Sequence, residues 1–222
     1  AVLDGSENLT GWMACESQAA CNNANWQQIY FAYIPAQHAE NATVLLANLY
    51  QGESLLALSQ EPDQPDPFYL DEEEYFYTVD NTWMTSTSLI DGREGKFDQT
   101  DSNYWNDSYV LLWVSHNRVN FRKIDSFDSG SDRITFAETS NPPYDDRDER
   151  YSVVNGLHLM DQPGEYTLSD TLEPDGRRKV YLWPLNGANP EEAGITYSVR
   201  NYGININRKS HITIDGLTVQ KY

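Results

Sequence analysis

The chain has 222 residues, 34 of them acidic and 15 basic, for a formal net charge of −19. No basic stripe exists to displace counterions from phosphates, which excludes nucleic acid as a partner, and no apolar run approaches the length of a membrane span. Hydrophobic residues make up 39% and mean hydropathy is −0.65, as expected of a soluble globular chain able to bury a core. Aromatic residues are abundant, with 15 Tyr, 6 Trp and 7 Phe; Tyr and Trp favour strands and also line sugar-binding surfaces. The acidic surface suits solubility in saline surroundings. An anionic polysaccharide would need a cation or a local basic patch to approach it.

The chain opens on Val2-Leu3 and stops at Asp4-Gly5; it closes on the alternating run Ile212 to Val219, broken by Asp215-Gly216. An aliphatic strand ended by Asp-Gly reads as one rung of a parallel β-helix, with aliphatics stacked inward and Asp-Gly at the corner. Two such phrases at opposite ends predict a segment that leaves a β-solenoid and rejoins it. Cys15 and Cys21 are the only cysteines. In an exported protein they pair most simply as a local disulfide; buried free thiols are the alternative, and two thiols without a nearby His make a poor metal site.

Helix signals are nearly confined to Pro35–Leu49. Strands are expected at Gln28–Ile34, Ala42–Tyr50, Ser54–Leu58, Thr82–Ile90, Tyr109–His116, Val119–Ile124, Arg133–Ala137, Ser152–Leu159, Glu165–Ser169, Lys179–Trp183, Thr196–Val199, Gly203–Asn207 and His211–Val219. Turn signals separate them, among them Asp91-Gly92, Pro163-Gly164, Asp175-Gly176 and Asn186-Gly187. Glu61–Glu74 and Ser140–Arg150 are loops by composition, rich in Pro and acids. Many short strands at regular spacing predict an all-β chain with a jelly-roll-like β-sandwich.

The stretches Leu159 to Tyr166 with Pro163-Gly164-Glu165, Lys179 to Pro184, and Gly187 to Pro190 resemble a phrase of carbohydrate-active β-helix proteins, in which a β-sandwich interrupts the right-handed parallel β-helix near its start. Asp4-Gly5 with Trp12 resembles the exit from the solenoid. Asn48 to Leu55 resembles a hairpin turning at Gln51-Gly52, and Gly203 to Leu217 resembles the re-entry. The chain departs from the pattern in having Glu165-Tyr166 where Trp-Tyr is common. The resemblance implies an exit strand over 1–12, a sandwich over 13–200 and re-entry strands over 201–222. It further implies an accessory part of a secreted or periplasmic glycoside hydrolase or polysaccharide lyase, whose catalytic residues lie on later rungs.

Carboxylates are too many here for any pair to mark a glycosidase, which needs a fixed separation across a cleft. No nucleophile elbow, P-loop, zinc or dinucleotide signature is present. His116 and His158 sit in strand-like runs and read as packing residues. Asp125, Asp128 and Asp132 around Gly130 are the best candidate ligands for Ca²⁺, against a plain solvated turn. Sugar binding asks for an exposed aromatic face flanked by polar groups; Tyr104 and Trp105 meet that description best, then Trp83, while Trp113 reads as core and Trp183 as hairpin support. The expected partner is a polysaccharide or oligosaccharide. The three readings, in order, are an inactive accessory sandwich, a carbohydrate-binding module, and a self-contained enzyme. Open solenoid rungs should in addition lie side by side, expose an apolar end and promote self-association.

Overall fold

The computed structural model describes residues 1–44, 46–63, 76–115, 118–141, 143 and 149–222. The expected loops at Glu61–Glu74 and Ser140–Arg150 fall largely outside these residues, and His116 wholly so. The chain is an all-β sandwich fold, and its helices among the described residues are single turns. By contacts it divides into two compact units, one made of 1–57 with 161–222 and the other of 58–160. The expected sandwich stretch, 13–200, contains all of the second unit and parts of the first.

In the first unit the two ends of the chain meet. Val2–Asp4 pairs in parallel with Thr218–Gln220, Leu3 opposite Val219. The amide of Thr218 donates to the carbonyl of Ala1 at 2.9 Å and that of Gly5 to Gln220 at 3.0 Å. Asp4 closes the pair with its side chain, accepting from Gln220 Nε2 at 2.9 Å and from Ser6 Oγ at 2.6 Å. Those bonds hold its carboxyl down to about 2. The remaining expected re-entry strands do not form: Gly203–Asn207 and most of His211–Val219 are irregular, and Ile204, Ile206, Ile212 and Ile214 are exposed. A strand needs a neighbour for its ladder, and only Thr218–Gln220 finds one here.

Two antiparallel sheets build the rest of this unit. One orders Ser6–Asn8, Ile195–Ser198, Leu49–Gln51 and Ser54–Leu55. The Gln51-Gly52 hairpin expected from sequence is present, with Gln51 opposite Ser54 and Gly52 at φ +59. The other sheet orders Met13–Ala14, Tyr30–Ile34, Arg178–Leu182 and Glu165–Leu172. Alternation decides what is buried: Ala32, Ile34, Val180 and Leu182 are fully buried on one face, while Phe31, Tyr33, Lys179 and Tyr181 turn to the other. Gly176 at φ +84 makes the turn into Arg178–Leu182. Glu165 holds the Pro163-Gly164 turn, its carboxylate accepting from the amides of Asp161 and Gln162 at 2.9 and 3.2 Å. Arg178 is buried, and its guanidinium is satisfied by the carbonyls of Ala39, Ser169 and Asp170 at 2.6 to 3.0 Å. The helix-friendly stretch Pro35–Leu49 yields one turn, Ala36–Ala39, because the chain then runs into Leu49–Gln51.

The second unit is one antiparallel sheet ordered Ser88–Ile90, Arg133–Phe136, Arg118–Asp128, Tyr109–Ser115, Glu149–Val154 and Gln60–Glu61, with Tyr77–Val79 also on Glu149–Val154. Val110, Leu112 and Val114 alternate into a core with Phe97, Trp105, Phe127, Phe136, Tyr151 and Leu159. Trp113 breaks the sequence expectation. The period-two alternation puts it on the opposite face, half-buried, its ring 5.3 Å from that of Phe76.

Candidate functional site

Tyr104 and Trp105 do not form the exposed platform expected of them. Trp105 is only 3% exposed. Its ring meets Phe97 edge-on at 5.3 Å, and its Nε1 donates to Gln99 Oε1 at 2.8 Å. Tyr104 is half-buried, 4.2 Å from the ring of His158, which lies 5.1 Å from Trp105. The polar neighbours that suggested exposure are the skin of a turn: Asp101 accepts from the amide of Asn103 at 2.9 Å and its carbonyl from that of Tyr104 at 3.0 Å. The loop needs a hydrophobic anchor, and Trp105 supplies it. His158 is half-buried against the two rings, and loss of hydration pushes it down to about 4. It is a packing residue, as expected, although it lies in the single turn Leu157–Leu159 and not in a strand, the strand expected over Ser152–Leu159 ending at Val154.

Trp83 is the one sequence-selected aromatic with an open face, at 40% exposed. It ends the single turn Asn81–Trp83, which Asp80 fixes by accepting from the amide and hydroxyl of Thr82 at 2.8 and 2.6 Å. Asp125, Asp128 and Asp132 do not gather as one coordination shell. Asp125 stands within the strand Arg118–Asp128, and Asp128 is engaged in its own hairpin turn, accepting from the amide of Gly130 at 3.0 Å and from Ser131 Oγ at 2.7 Å. These bonds lower its carboxyl below the usual range. Cys15 and Cys21 form a disulfide with Cα atoms 6.1 Å apart, closing the turn Gln18–Cys21 that Ser17 caps.

The aromatic surface that sequence reasoning passed over lies on the first unit. Phe31 and Tyr33 on Tyr30–Ile34 face Tyr181 and Lys179 on Arg178–Leu182, in register as Phe31 opposite Tyr181 and Tyr33 opposite Lys179. The Phe31 ring centroid is 6.0 Å from that of Tyr33 and 6.2 Å from that of Tyr181. Lys179 Nζ lies 4.2 Å from the Phe31 centroid and 4.8 Å from that of Tyr181, and Arg177 Cζ lies 4.2 Å from that of Tyr33. Met13, opposite Phe31, extends the row and is exposed. Arg177 is partly offset by Asp175 at 2.7 Å, whereas Lys179 has no carboxylate partner among the described residues. The rings are half-buried under these cations. Three rings and two cations thus form a patch of opposite sign to the chain as a whole, able to stack on sugar C–H faces and to meet carboxylate or sulfate groups. The signal was present in the alternations Phe31/Tyr33 and Lys179/Tyr181, but it emerges only when the two strands are placed side by side.

No family model and no curated protein matches the chain. Among solved structures it is similar to one described as a glycoside hydrolase, with TM-score 0.51 and 17% identity, over 88% of this chain and 31% of that one. At that identity the likeness is one of fold. The chain spans about a third of the length of the structure it resembles.

Proposed function

We propose that the chain is a non-catalytic accessory β-sandwich of an exported, secreted or periplasmic polysaccharide-degrading protein built on a parallel β-helix. The observation that carries this reading is the parallel pairing of Val2–Asp4 with Thr218–Gln220. A segment whose two ends leave side by side and in the same direction can be set between successive rungs of a solenoid, because each rung is itself a parallel neighbour of the next. The aliphatics Ile204, Ile206, Ile212, Ile214 and Leu217, all exposed, are those a following rung would cover. The fold likeness to part of a larger glycoside hydrolase supports the same reading. In such a protein the glycosidic chemistry falls to groups on other rungs.

A second reading, a carbohydrate-binding module, is favoured by the Phe31, Tyr33, Tyr181 and Lys179 face. Affinity electrophoresis against neutral and acidic polysaccharides, with and without Ca²⁺, tests both readings when each mixture is also assayed for new reducing ends and unsaturated products. The accessory reading expects no cleavage, and cleavage of any polysaccharide overturns it. The binding reading expects retardation by an acidic polysaccharide that is lost in the Phe31→Ala/Tyr181→Ala double variant and weakened in Lys179→Gln. Equal retardation of wild type and variants would remove the face from consideration.

A further inference from the structure

Away from the aromatic face, the first unit holds a separate open cavity of about 230 Å³. It is walled by His38, Asn41, Asn48, Ser198, Asn201 and Tyr222, with Ala42 and Val199 as apolar patches. Separate stretches of the chain bring these residues together. His38 comes from the turn Ala36–Ala39, and the amides of Asn41 and Ala42 donate back to its carbonyl at 3.1 and 3.0 Å. Ser198 ends the strand Ile195–Ser198, and its amide donates to the carbonyl of Asn48 at 2.9 Å. Tyr222 folds over Gly5, where an added Cβ would come within 2.7 Å of its ring.

Two properties separate this cavity from an ordinary surface dent. The first is unspent hydrogen-bonding capacity. The side-chain amides of Asn41, Asn48 and Asn201, all three exposed, and the hydroxyl of half-buried Tyr222 make no hydrogen bond to another described residue and are open to a ligand. The Ser198 hydroxyl, on a residue 8% exposed, is buried without a partner as well. Buried hydroxyls are normally satisfied, so keeping this one unpaired costs stability that a bound group beside it would offset. The second is charge balance. Arg200, which also lines the cavity, has its Nη2 3.5 Å from Glu7 Oε1, and Glu7 Oε2 lies 3.3 Å from His38 Nε2. The guanidinium is thus already opposed by a carboxylate, and the cavity offers amides and hydroxyls rather than a net charge.

Asn amides both donate and accept, which matches vicinal hydroxyls, and the apolar patches at Ala42 and Val199 suit ring C–H groups. Pockets for drug-sized ligands run from roughly 300 Å³ upward, so this cavity suits one ring. From these features we infer that the cavity is a binding site for a single neutral sugar residue, free or at the end of a glycan. The inference uses none of the residues of the aromatic face and so stands apart from the sheet-face reading.

The test is titration of the isotope-labelled full chain with methyl glycosides of xylose, glucose, galactose and rhamnose, with glucuronate as the charged control, followed by amide resonances. At least one neutral glycoside at tens of millimolar should give saturable shifts at the side-chain amides of Asn48 and Asn201 and at the backbone of 198–201. Asn48→Ala and Asn201→Ala should each weaken that binding roughly 2- to 12-fold, the range of one neutral hydrogen bond. Ser198→Ala should weaken it while raising the unfolding temperature of the unliganded chain. The Phe31→Ala/Tyr181→Ala variant should bind the glycoside as wild type does, whatever happens to its polysaccharide binding. Shifts that map to Phe31 and Tyr181, a response to glucuronate alone, or no shift with any glycoside would each overturn the assignment.

Discussion

His158 makes the stability of the second unit depend on pH in a window where few other groups titrate. The imidazole packs half-buried against Tyr104 and Trp105, its Nε2 is buried without a partner among the described residues, and loss of hydration pushes it from the ordinary value near 6.5 down to about 4. At about 1.4 kcal/mol per pH unit, that gap is worth about 3.5 kcal/mol. The ring faces of Tyr104 and Trp105 favour the cation by roughly 0.5–2 kcal/mol, which trims the expected effect to about 1.5–3 kcal/mol. The folded-state value is depressed, so between the two values the unfolded chain binds more protons than the folded one. Stability is therefore complete above about pH 6.5 and falls as pH drops toward about 4. Replacing His158 by Phe keeps an apolar ring and removes the titration. Urea unfolding followed by Trp fluorescence, in steps between about pH 7 and about pH 4.5, should show wild type losing about 1–2 kcal/mol more than His158→Phe. The comparison is of slopes, so any constant offset from repacking drops out. Parallel slopes for the two proteins would refute the reasoning.

Other outcomes follow from the same structure. Asp91 is fully buried and accepts from Tyr151 Oη at 2.7 Å and from Arg93 Nε and Nη2 at 2.7 and 2.5 Å. Tyr151→Phe should cost about 2 kcal/mol and lower the unfolding midpoint by roughly 4–8 °C, measured by calorimetry; a loss within error would mean the bond is not formed. Burial raises the Asp91 carboxyl, but the bonds from Arg93 and Tyr151 outweigh it and leave it below the ordinary value. Its contribution is accordingly present above about pH 4 and lost as pH falls below that, a second acid step that Asp91→Asn should abolish in the same titration. Gly5→Ala places a Cβ within 2.6 Å of the Lys221 carbonyl oxygen. It should break the terminal parallel pair, read as faster hydrogen exchange at the amides of Gly5 and Thr218; unchanged protection would contradict the pairing. Finally, the exposed aliphatics from Ile204 to Val219 should drive concentration-dependent self-association, seen by light scattering and reduced by Ile212→Asp/Ile214→Asp. A monomer at all concentrations would count against these aliphatics as an uncovered surface.

Local chemistry was readable from the sequence. Gln51-Gly52, Pro163-Gly164 and Asp175-Gly176 turn where their backbone preferences say they should, and Val110, Leu112 and Val114 bury one face because a strand has period two. The rhyme of the two termini carried further, since it anticipated that Leu3 and Val219 would become neighbours. What could not be read was which face of an element would find a partner. Trp105 sits among polar residues in sequence, yet its indole is larger than anything else in its loop and Phe97 lies ready to receive it. Trp113 lies in an apolar run, yet alternation turns it away from the core. The aromatic and cationic patch joins residues near 31 and near 180, and the neutral cavity joins residues 38, 48, 198 and 222. Turn geometry and alternation are fixed within a few residues of chain, so the sequence alone determined them. The choice of buried face and the meeting of distant side chains depend on long-range strand pairing, which only the folded structure decides.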